Sequence, residues 1–470
     1  MSTSLFQTAH HVHFMGIGGV GMSGIAEILV TLGHRVSGCD LKENDAVARL
    51  RAHGASVAIG HHPDHVAGCD VVVTSSAVRP DHPEIVAARA ARIPVIPRAE
   101  MLAELMRLKY GVAVAGAHGK TTTTSMLATL LEGAGLDPTV VVGGKVKGGS
   151  GARLGAGEVL VAEADESDGS FLTLSPVVAV VTNLDDEHLD HYGTPAAVDD
   201  AFVAFCNRVP FFGACVINLD DPRLARLLPR LNKRTITYGT TPAADLRLLP
   251  AATPSGDGPQ TFQLVEQGRD LGPFHLWVAG RHNASNAAAA IAAARFLGAE
   301  VEALRVALAD FVGVSRRFEL LYEGDGVRVI DDYGHHPTEI SATLAAARAS
   351  WPGRLVALVQ PHRYTRLAAL AERFATALLA TDVCLITQVY AAGEARGSGP
   401  DGRDLTELLR QRGHGHASFH PDLDAMAQAA LAVVRPGDLL LTLGAGDITR
   451  LAHRLAAELG ARLGTTLLPR

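Results

Sequence analysis

Aromatic residues are scarce in this chain of 470 residues, where Phe, Trp and Tyr together make up 5%. Hydrophobic residues nevertheless reach 47%, so the cores must be built mainly from Ala, Val and Leu. Cysteine is also sparse. Cys39, Cys69, Cys206, Cys215 and Cys384 form no C-x-x-C pair. That argues against a disulfide framework or a zinc site and suits reduced thiols in a cytosol. No apolar run approaches the roughly 18 residues of a transmembrane helix. The first residues lack a basic region leading into an apolar stretch, so neither a membrane span nor a signal peptide is expected. Positive charge is not in surplus either. A net charge of −7 argues against a broad nucleic-acid footprint while leaving room for a local basic site. The expectation is a cytoplasmic protein that acts on small molecules, away from membranes and nucleic acid.

What is present is a regular alternation of short apolar runs with longer helical patterns, the mark of βαβ units and parallel sheets. Strands are expected at His11–Met15, Val71–Thr74, Gly111–Ala115, Val159–Ala162, Val177–Thr182, Leu355–Val359, Val383–Ile386 and Leu439–Leu443. Helices are expected over Met22–Leu32 and over the Ala-rich stretch 284–297. Breaks near Arg107–Tyr110 and Val312–Ser315 divide the chain into residues 1–108, 109–313 and 314–470. Residues 240–275, rich in Pro, Gly and Thr, read as irregular strands decorating the middle domain.

Two glycine loops carry the chemistry. The first, His13-Phe-Met-Gly16-Ile-Gly18-Gly19-Val20-Gly21, satisfies G-x-G-x-x-G between a strand and a helix. Glycines there permit a tight turn and a close approach of backbone amides to a diphosphate. Asp40 ends the next strand, where an acid would meet a ribose hydroxyl. Alone, this loop is compatible with NAD or another nucleotide diphosphate, or with close helix–strand packing.

The second loop, Gly116-Ala-His118-Gly119-Lys120-Thr121-Thr122, resembles a P-loop, shortened because Val114 stands where the first glycine is expected. Its amides can wrap phosphates, Lys120 can reach the β and γ oxygens, and the Thr121 hydroxyl can bind Mg²⁺. A lysine in a helix's first turn opposes the dipole, which calls for an anionic partner. Glu163 ends a nearby strand and is the first choice for a Mg²⁺ ligand. Asp165, Glu166 and Asp168 read as readily as helix caps or solvated charges as they do as further members of the site. His188 follows the next strand and is open to three readings: general base, metal ligand or core histidine.

Together these segments resemble the Mur ligase family. So do Gly280-Arg-His-Asn283-Ala-Ser-Asn286, Ser315-Arg316-Arg-Phe-Glu, Asp331-Asp332-Tyr333-Gly-His335-His336 and Gln360-Pro-His362-Arg363-Tyr-Thr-Arg366. The resemblance runs from about residue 10 to the strand near Leu443. It implies three domains: a Rossmann-like one for a UDP-sugar, a central P-loop-type ATPase with a parallel sheet, and a C-terminal Rossmann-like one for an amino acid. It also implies a ligase that joins L-alanine to the carboxylate of UDP-N-acetylmuramate, using ATP and Mg²⁺, in peptidoglycan precursor synthesis. No lysine lies between Leu189 and Phe212, which favours the alanine-adding branch over later ligases with a carbamylated lysine there. A murein-peptide recycling ligase is the alternative, although it typically has Phe-Ala in place of Tyr333-Gly334. An NAD-dependent dehydrogenase would leave the second loop without work.

By the same resemblance, Gly18, Gly19, Val20, Asp40, Ser75 and Ser76 belong to the UDP-sugar site. Gly116, His118, Gly119, Lys120, Thr121 and Thr122 would cradle ATP. Asn283 and Asn286 would lie near the adenine, although Asn283 also reads as an N-cap of the Ala-rich helix. Arg316 and Asp332 would complete the nucleotide pocket. The catalytic set is Lys120, Glu163 and His188, and the metal ligands are Thr121, Glu163 and His188. Tyr333, His335, His362, Arg363 and Arg366 would take the amino acid. Arg363 and Arg366 follow a strand and, three apart in a helical first turn, would share one face and grip a carboxylate; the bland reading is a pair of solvated arginines.

Overall fold

The protein is described by a computed structural model over residues 10–75, 78–143, 151–252, 258–396 and 399–463. The chain folds as two compact units. One takes in the chain to Pro250 with Gln263–Phe274 and Ser285–Asp310; the other takes in Ala251–Phe262, His275–Ala284 and the chain from Phe311. Among the described residues the strands form three sheets.

The first sheet holds β1 (His11–Met15), β2 (Arg35–Asp40), β3 (Ser56–Ile59), β4 (Val71–Thr74) and β5 (Val95–Pro97) in the order β3-β2-β1-β4-β5. Its pairings are parallel throughout. The order reverses at β1, so the first glycine loop leaves the sheet at the switch point where α/β folds bind ligands. The helix that follows runs Val20–Thr31.

The second sheet holds β6 (Tyr110–Ala115), β7 (Thr139–Val141), β8 (Ala152–Arg153), β9 (Val159–Glu163), β10 (Val178–Val181), β11 (Ala214–Asn218), β12 (Thr235–Gly239), β13 (Leu246–Ala252), β14 (Gln260–Glu266) and β15 (Arg269–Leu276). Their order is β15-β14-β13-β12-β11-β10-β6-β9-β7-β8. The strand β6 therefore lies between β9 and β10, parallel to both. Both faces of β6 and β10 are buried, which explains their unbroken apolar runs. The segment read as irregular is more ordered than expected: β13 to β15 are seven- and eight-residue strands. Pro250, Gly272 and Pro273 lie within them and mask the alternation of a half-buried strand. The Ala-rich helix runs Arg281–Phe296. Its alanines from Ala287 to Ala290 are fully buried, small side chains allowing close packing where aromatics are few.

The third sheet holds β16 (Glu319–Gly324), β17 (Val327–Asp332), β18 (Arg354–Val359), β19 (Val383–Ile386), β20 (Ala417–Phe419) and β21 (Asp438–Leu443), ordered β16-β17-β21-β18-β19-β20. Only β16 is antiparallel to its neighbour. All five cysteines are buried free thiols. Among the described residues no helix is long and apolar enough to cross a membrane.

The few aromatics are concentrated where packing needs bulk. Phe171 stacks on Phe205 at 4.9 Å and tilts against Phe202 at 5.2 Å. It sits in the short 3-10 helix Ser170–Thr173, directly after the acidic segment that follows β9. Phe171→Ala should therefore cost about 3–5 kcal/mol of unfolding free energy in a denaturant titration, the usual loss for a buried Phe. Phe211→Ala, at a ring 93% exposed, should change it by less than about 0.5 kcal/mol. Equal losses in the two variants would contradict this assignment of the core.

Candidate active site

The carboxyl ends of β9, β6 and β10 lie side by side, and each delivers a polar segment. From β6 the chain turns through Gly116 (φ +129°) and Gly119 (φ +82°) into the helix Lys120–Gly133. A Cβ on Gly116 would stand 2.2 Å from the Thr182 hydroxyl, so only glycine fits. A Cβ on Gly119 would stand 2.6 Å from Asn286 Oδ1, which places the Asn286 amide against the loop. The loop is tied to the end of β10. The His118 amide donates to Asn183 Oδ1 (2.8 Å), and Asn183 Nδ2 and the Thr182 hydroxyl donate back to the His118 carbonyl (2.9 and 2.7 Å). His118 Nε2 lies 3.0 Å from Asp185 Oδ2.

Lys120 is folded back over its own loop. Its Nζ donates to the Gly116 carbonyl at 2.7 Å and to Glu166 Oε1 at 2.8 Å. Burial would lower the ammonium pKa, but the Glu166 and Glu163 carboxylates more than offset it and hold it above its ordinary value. Burial in turn lifts the Glu166 carboxyl to about 7 against the pull of Lys120. The second oxygen of Glu166 is buried with no hydrogen-bond partner. The Thr121 hydroxyl donates to Glu163 Oε1 at 2.9 Å, and the Gly143 amide to Glu163 Oε2 at 2.7 Å. Thr122 is buried in the first helical turn.

His188 caps the short helix Leu189–Tyr192 with a left-handed backbone, φ +59°. Its Nε2 lies 3.7 Å from Glu166 and 3.9 Å from Glu187. Glu166, Glu187 and His188 thus offer three ligand atoms within 4.8 Å of one another. The structure sets Lys120, Thr121, Glu163 and His188 in one cluster with Glu166 and Glu187. Glu166 is no solvated charge: its side chain is 5% exposed. Asp165 and Asp168 instead cap turns, accepting from the Ser167 and Ser170 amides.

In the first loop the Gly16 and Ile17 amides donate to the Cys39 carbonyl. Asp40 Oδ2 accepts from the Gly18 amide at 2.8 Å, so this acid braces the loop. Gly19 caps the following helix without a side-chain bond, and its carbonyl accepts from the Met22 and Ser23 amides of the first turn at 3.0 and 2.8 Å. A Cβ on Gly18 would stand 2.6 Å from Asn44 Nδ2. Ser75 Oγ lies beneath Gly16. Ser76 and the Val20 side chain lie outside the described residues.

The second unit holds the remaining candidates. Asn283 is not an N-cap: it is the third residue of its helix, and its Nδ2 donates to the Ala279 carbonyl at 2.7 Å. Arg316 Nη2 donates to the Gly444 carbonyl at 2.7 Å, and its guanidinium lies 4.9 Å from the Tyr333 ring centroid. Asp332 is buried and accepts from the Phe318 and Gly334 amides; burial lifts its carboxyl to about 6. Tyr333, His335, His362 and Tyr390 form a row of rings with centroids 5.2, 5.4 and 5.7 Å apart. Burial pushes His335 down to about 3 and His362 down to about 4, so both rings are neutral near pH 7. Arg366 Nη1 lies 3.3 Å from His362 Nδ1. Arg363 departs from expectation. It is the N-cap of the helix Tyr364–Leu378, with φ +66°, and lies outside the first turn. The two arginines therefore do not share a helical face: Arg363 is exposed and Arg366 is half-buried. A cleft of about 560 Å³, lined by Gln360, Tyr390, Asp447 and Arg450 among others, adjoins the ring row.

Glu187, Asn183 and Tyr390 were given no role from the sequence, and Glu166 was left undecided between the site and a solvated or capping charge. The run Glu163-Ala-Asp-Glu166 was visible, but nothing in it distinguishes the acid that turns inward.

Comparison with known proteins bears directly on this arrangement. Residues 11–110 match the Mur ligase family, catalytic domain, residues 114–294 the Mur ligase middle domain, and residues 316–446 the Mur ligase, glutamate ligase domain. The UDP-N-acetylmuramate--L-alanine ligase of Myxococcus xanthus (strain DK1622) is 54% identical over 456 residues, 96% of each chain. That of Sorangium cellulosum (strain So ce56) is 52% identical over 457 residues, covering 96% of this chain and 97% of the relative. Among solved structures, the UDP-N-acetylmuramate-alanine ligase of Thermotoga maritima matches with a TM-score of 0.80 and 30% identity over 96% of this chain and 100% of its own. The murein peptide ligase of Psychrobacter arcticus 273-4, at 24% identity and a TM-score of 0.68, shares the fold. With this coverage and identity, the chain belongs to the Mur ligase family.

Proposed function

We propose that the chain catalyses ATP-dependent addition of L-alanine to the carboxylate of UDP-N-acetylmuramate, in peptidoglycan precursor synthesis in the cytoplasm. The reaction is the one carried in the names of its relatives at 54% and 52% identity over nearly the full length. The observation that carries the chemistry is the cluster at the ends of β6, β9 and β10, where Lys120 meets Glu166 at 2.8 Å and Thr121 meets Glu163 at 2.9 Å. Residues 1–108 would hold the UDP-sugar, 109–313 the ATP and 314–470 the amino acid.

A carboxylate is a poor electrophile and must be activated. The muramoyl carboxylate attacks the γ-phosphorus of ATP, the bond to the bridging oxygen breaks, and ADP leaves an acyl phosphate. The amine of L-alanine then attacks the acyl carbon, and inorganic phosphate departs. The first step brings two anions together, so fixed positive charge at the meeting point is the main requirement. Lys120 supplies it, pre-formed and protonated, by exchanging its contact with the Gly116 carbonyl for a phosphate oxygen. Backbone amides of the Gly116–Gly119 turn cradle the phosphates, with His118 beside them, and Asn283 and Asn286 serve the adenine end. By the family resemblance, Arg316 and Asp332 would serve the nucleotide. The donor set fits Mg²⁺: Thr121 with Glu163 offers adjacent oxygens, and Glu166 carries a buried oxygen with no partner. Glu166, Glu187 and His188 would hold a second ion. When bound, Mg²⁺ neutralises charge on the phosphate oxygens. In the first loop, Asp40 keeps Gly18 in place so that the helix start can meet the UDP diphosphate, with Gly19 and Ser75 beside it. Arg366 faces the amino-acid carboxylate, with Arg363, Tyr333, His335 and His362 lining the pocket.

The test of the assignment is phosphate release with UDP-N-acetylmuramate against a panel of amino acids. Release should require ATP, Mg²⁺, the UDP-sugar and L-alanine together. Turnover with NAD(H) and no ATP would overturn it. Lys120→Ala should lower kcat at least about 10²-fold, equivalent to about 2.7 kcal/mol; a wild-type kcat would remove Lys120 from the phosphate site. Arg366→Ala should raise the L-alanine KM about 10–100-fold, the loss of one charge-assisted contact of about 1.5–3 kcal/mol, with little change in the ATP KM. The reverse ranking would move Arg366 to the nucleotide.

A further inference from the structure

The sheet β1–β5 has two unlike faces. Val12, Phe14 and Val36 point into the apolar core. The opposite face presents His13 beside Ser37 and, one pair further along, Met15 beside Cys39. Against that face the helix Pro83–Ala90 sets Glu84, whose side chain is 0% exposed. A carboxylate wholly removed from water needs strong compensation. Here it is met by imidazoles, a thiol and a backbone amide. Oε1 takes His65 Nδ1 at 2.8 Å and the His62 amide at 3.0 Å. Oε2 takes Cys39 Sγ at 3.2 Å and His61 Nδ1 at 3.2 Å, and these two atoms are 3.1 Å apart.

Thiol sulfur, imidazole nitrogen and carboxylate oxygen thus form a nearly equilateral triangle. Tetrahedral zinc, with bonds of about 2.0–2.3 Å, sets its ligand atoms roughly 3.3–3.6 Å apart. A second observation points to the same place. His13 is 1% exposed, and its Nε2 is buried without a hydrogen-bond partner. His13 offers a ligand atom within 4.8 Å of those of Cys39 and Glu84. Its other nitrogen lies 2.9 Å from Ser37 Oγ, the kind of outer contact that orients a ligating ring. A cavity of about 480 Å³ lined by His13, Ser37 and His65 lies on this face.

We propose that Cys39, His61 and Glu84 bind a zinc ion, with His13 drawn in as the fourth donor on binding, and that the ion ties β1, β2, the segment after β3 and the helix Pro83–Ala90 together. The mix of sulfur and nitrogen donors selects zinc over Mg²⁺ or Ca²⁺. On binding, the Cys39 S–H bond breaks, its proton goes to solvent, and the thiolate forms the S–Zn bond. The competing account is a closed hydrogen-bond network in which the thiol stays protonated and donates to Glu84. The absence of C-x-x-C argued against zinc because such spacing reports only ligands close in sequence; these four are scattered from His13 to Glu84.

The experiment uses the untagged full chain, stripped with a chelator and desalted, then titrated with Zn²⁺ against a chromophoric chelator. One ion per chain should bind at this site, with affinity at least 10-fold weaker in Cys39→Ser and, separately, in His13→Gln. Co²⁺ in place of Zn²⁺ should give a tetrahedral spectrum with a thiolate charge-transfer band that Cys39→Ser abolishes. Zn²⁺ should raise the wild-type Tm and leave that of Cys39→Ser unchanged. Equal zinc affinity in wild type and both variants, or a cobalt spectrum without the thiolate band, would overturn the proposal. Should Cys39→Ser fail to fold, the wild-type cobalt band and the His13→Gln affinity still decide it. Ions at the phosphate loop would not depend on Cys39, so the readout stands apart from the ligase reading.

Discussion

An ammonium and a carboxylate, buried together 2.8 Å apart at the ends of β6 and β9, set the terms for the central part of the molecule. Taking two ions out of water costs several kcal/mol each unless further polar contacts repay it. For Lys120 those contacts are the Gly116 and Ala117 carbonyls, which face inward only because Gly116 adopts a backbone that other residues rarely reach. For Glu166 one oxygen is satisfied and the other is not. Both groups bind their protons more firmly than usual, so the cation is built into the fold. The pair also dictates topology. It forms only if the strand carrying the loop has the strand carrying the acids as its neighbour, which the placement of β6 between β9 and β10 provides.

Much of this was legible in the sequence because the relevant signals are local. An apolar strand, a glycine turn and Lys-Thr at a helix start require no knowledge of distant residues, and β6 with its following helix appears where expected. So do β1, β4, β9, β10, β18, β19 and β21, within a residue at each end. What was not legible depends on the third dimension. Hydropathy treats Glu163, Asp165, Glu166 and Asp168 alike, whereas folding turns Glu166 inward and leaves Asp165 and Asp168 capping turns. The half-buried strands β13 to β15 were read as irregular because prolines and a glycine interrupt a pattern that only their sheet neighbours complete. Arg363 was placed inside a helix because spacing suggested it; its positive φ takes it out of the first turn. A cluster such as His13, Cys39, His61 and Glu84 has no sequence signature at all.

The second unit shows how one strand end can frame a site without being consumed by it. Asp331 accepts from the Thr442 and Thr449 hydroxyls and pairs with Arg316, while Asp332 accepts two backbone amides. These bonds pin the segment after β17 against the end of β21. Tyr333 is thereby fixed between the guanidinium groups of Arg316 and Arg317, 4.9 and 5.0 Å from its ring centroid. The neutral rings of His335 and His362 then carry a rigid, uncharged wall toward Tyr390. Such a wall contributes shape and no charge.

His188 holds a left-handed backbone without being glycine, a conformation that costs on the order of 1–3 kcal/mol. Glycine in its place would relax the turn and remove the imidazole that reaches toward Glu166 and Glu187. With the metal-holding role proposed for His188, thermal hardiness and turnover would pull in opposite directions at this one residue. A population selected only for heat resistance would then be free to lose the histidine, whereas one selected for growth would have to keep it and find its stability elsewhere.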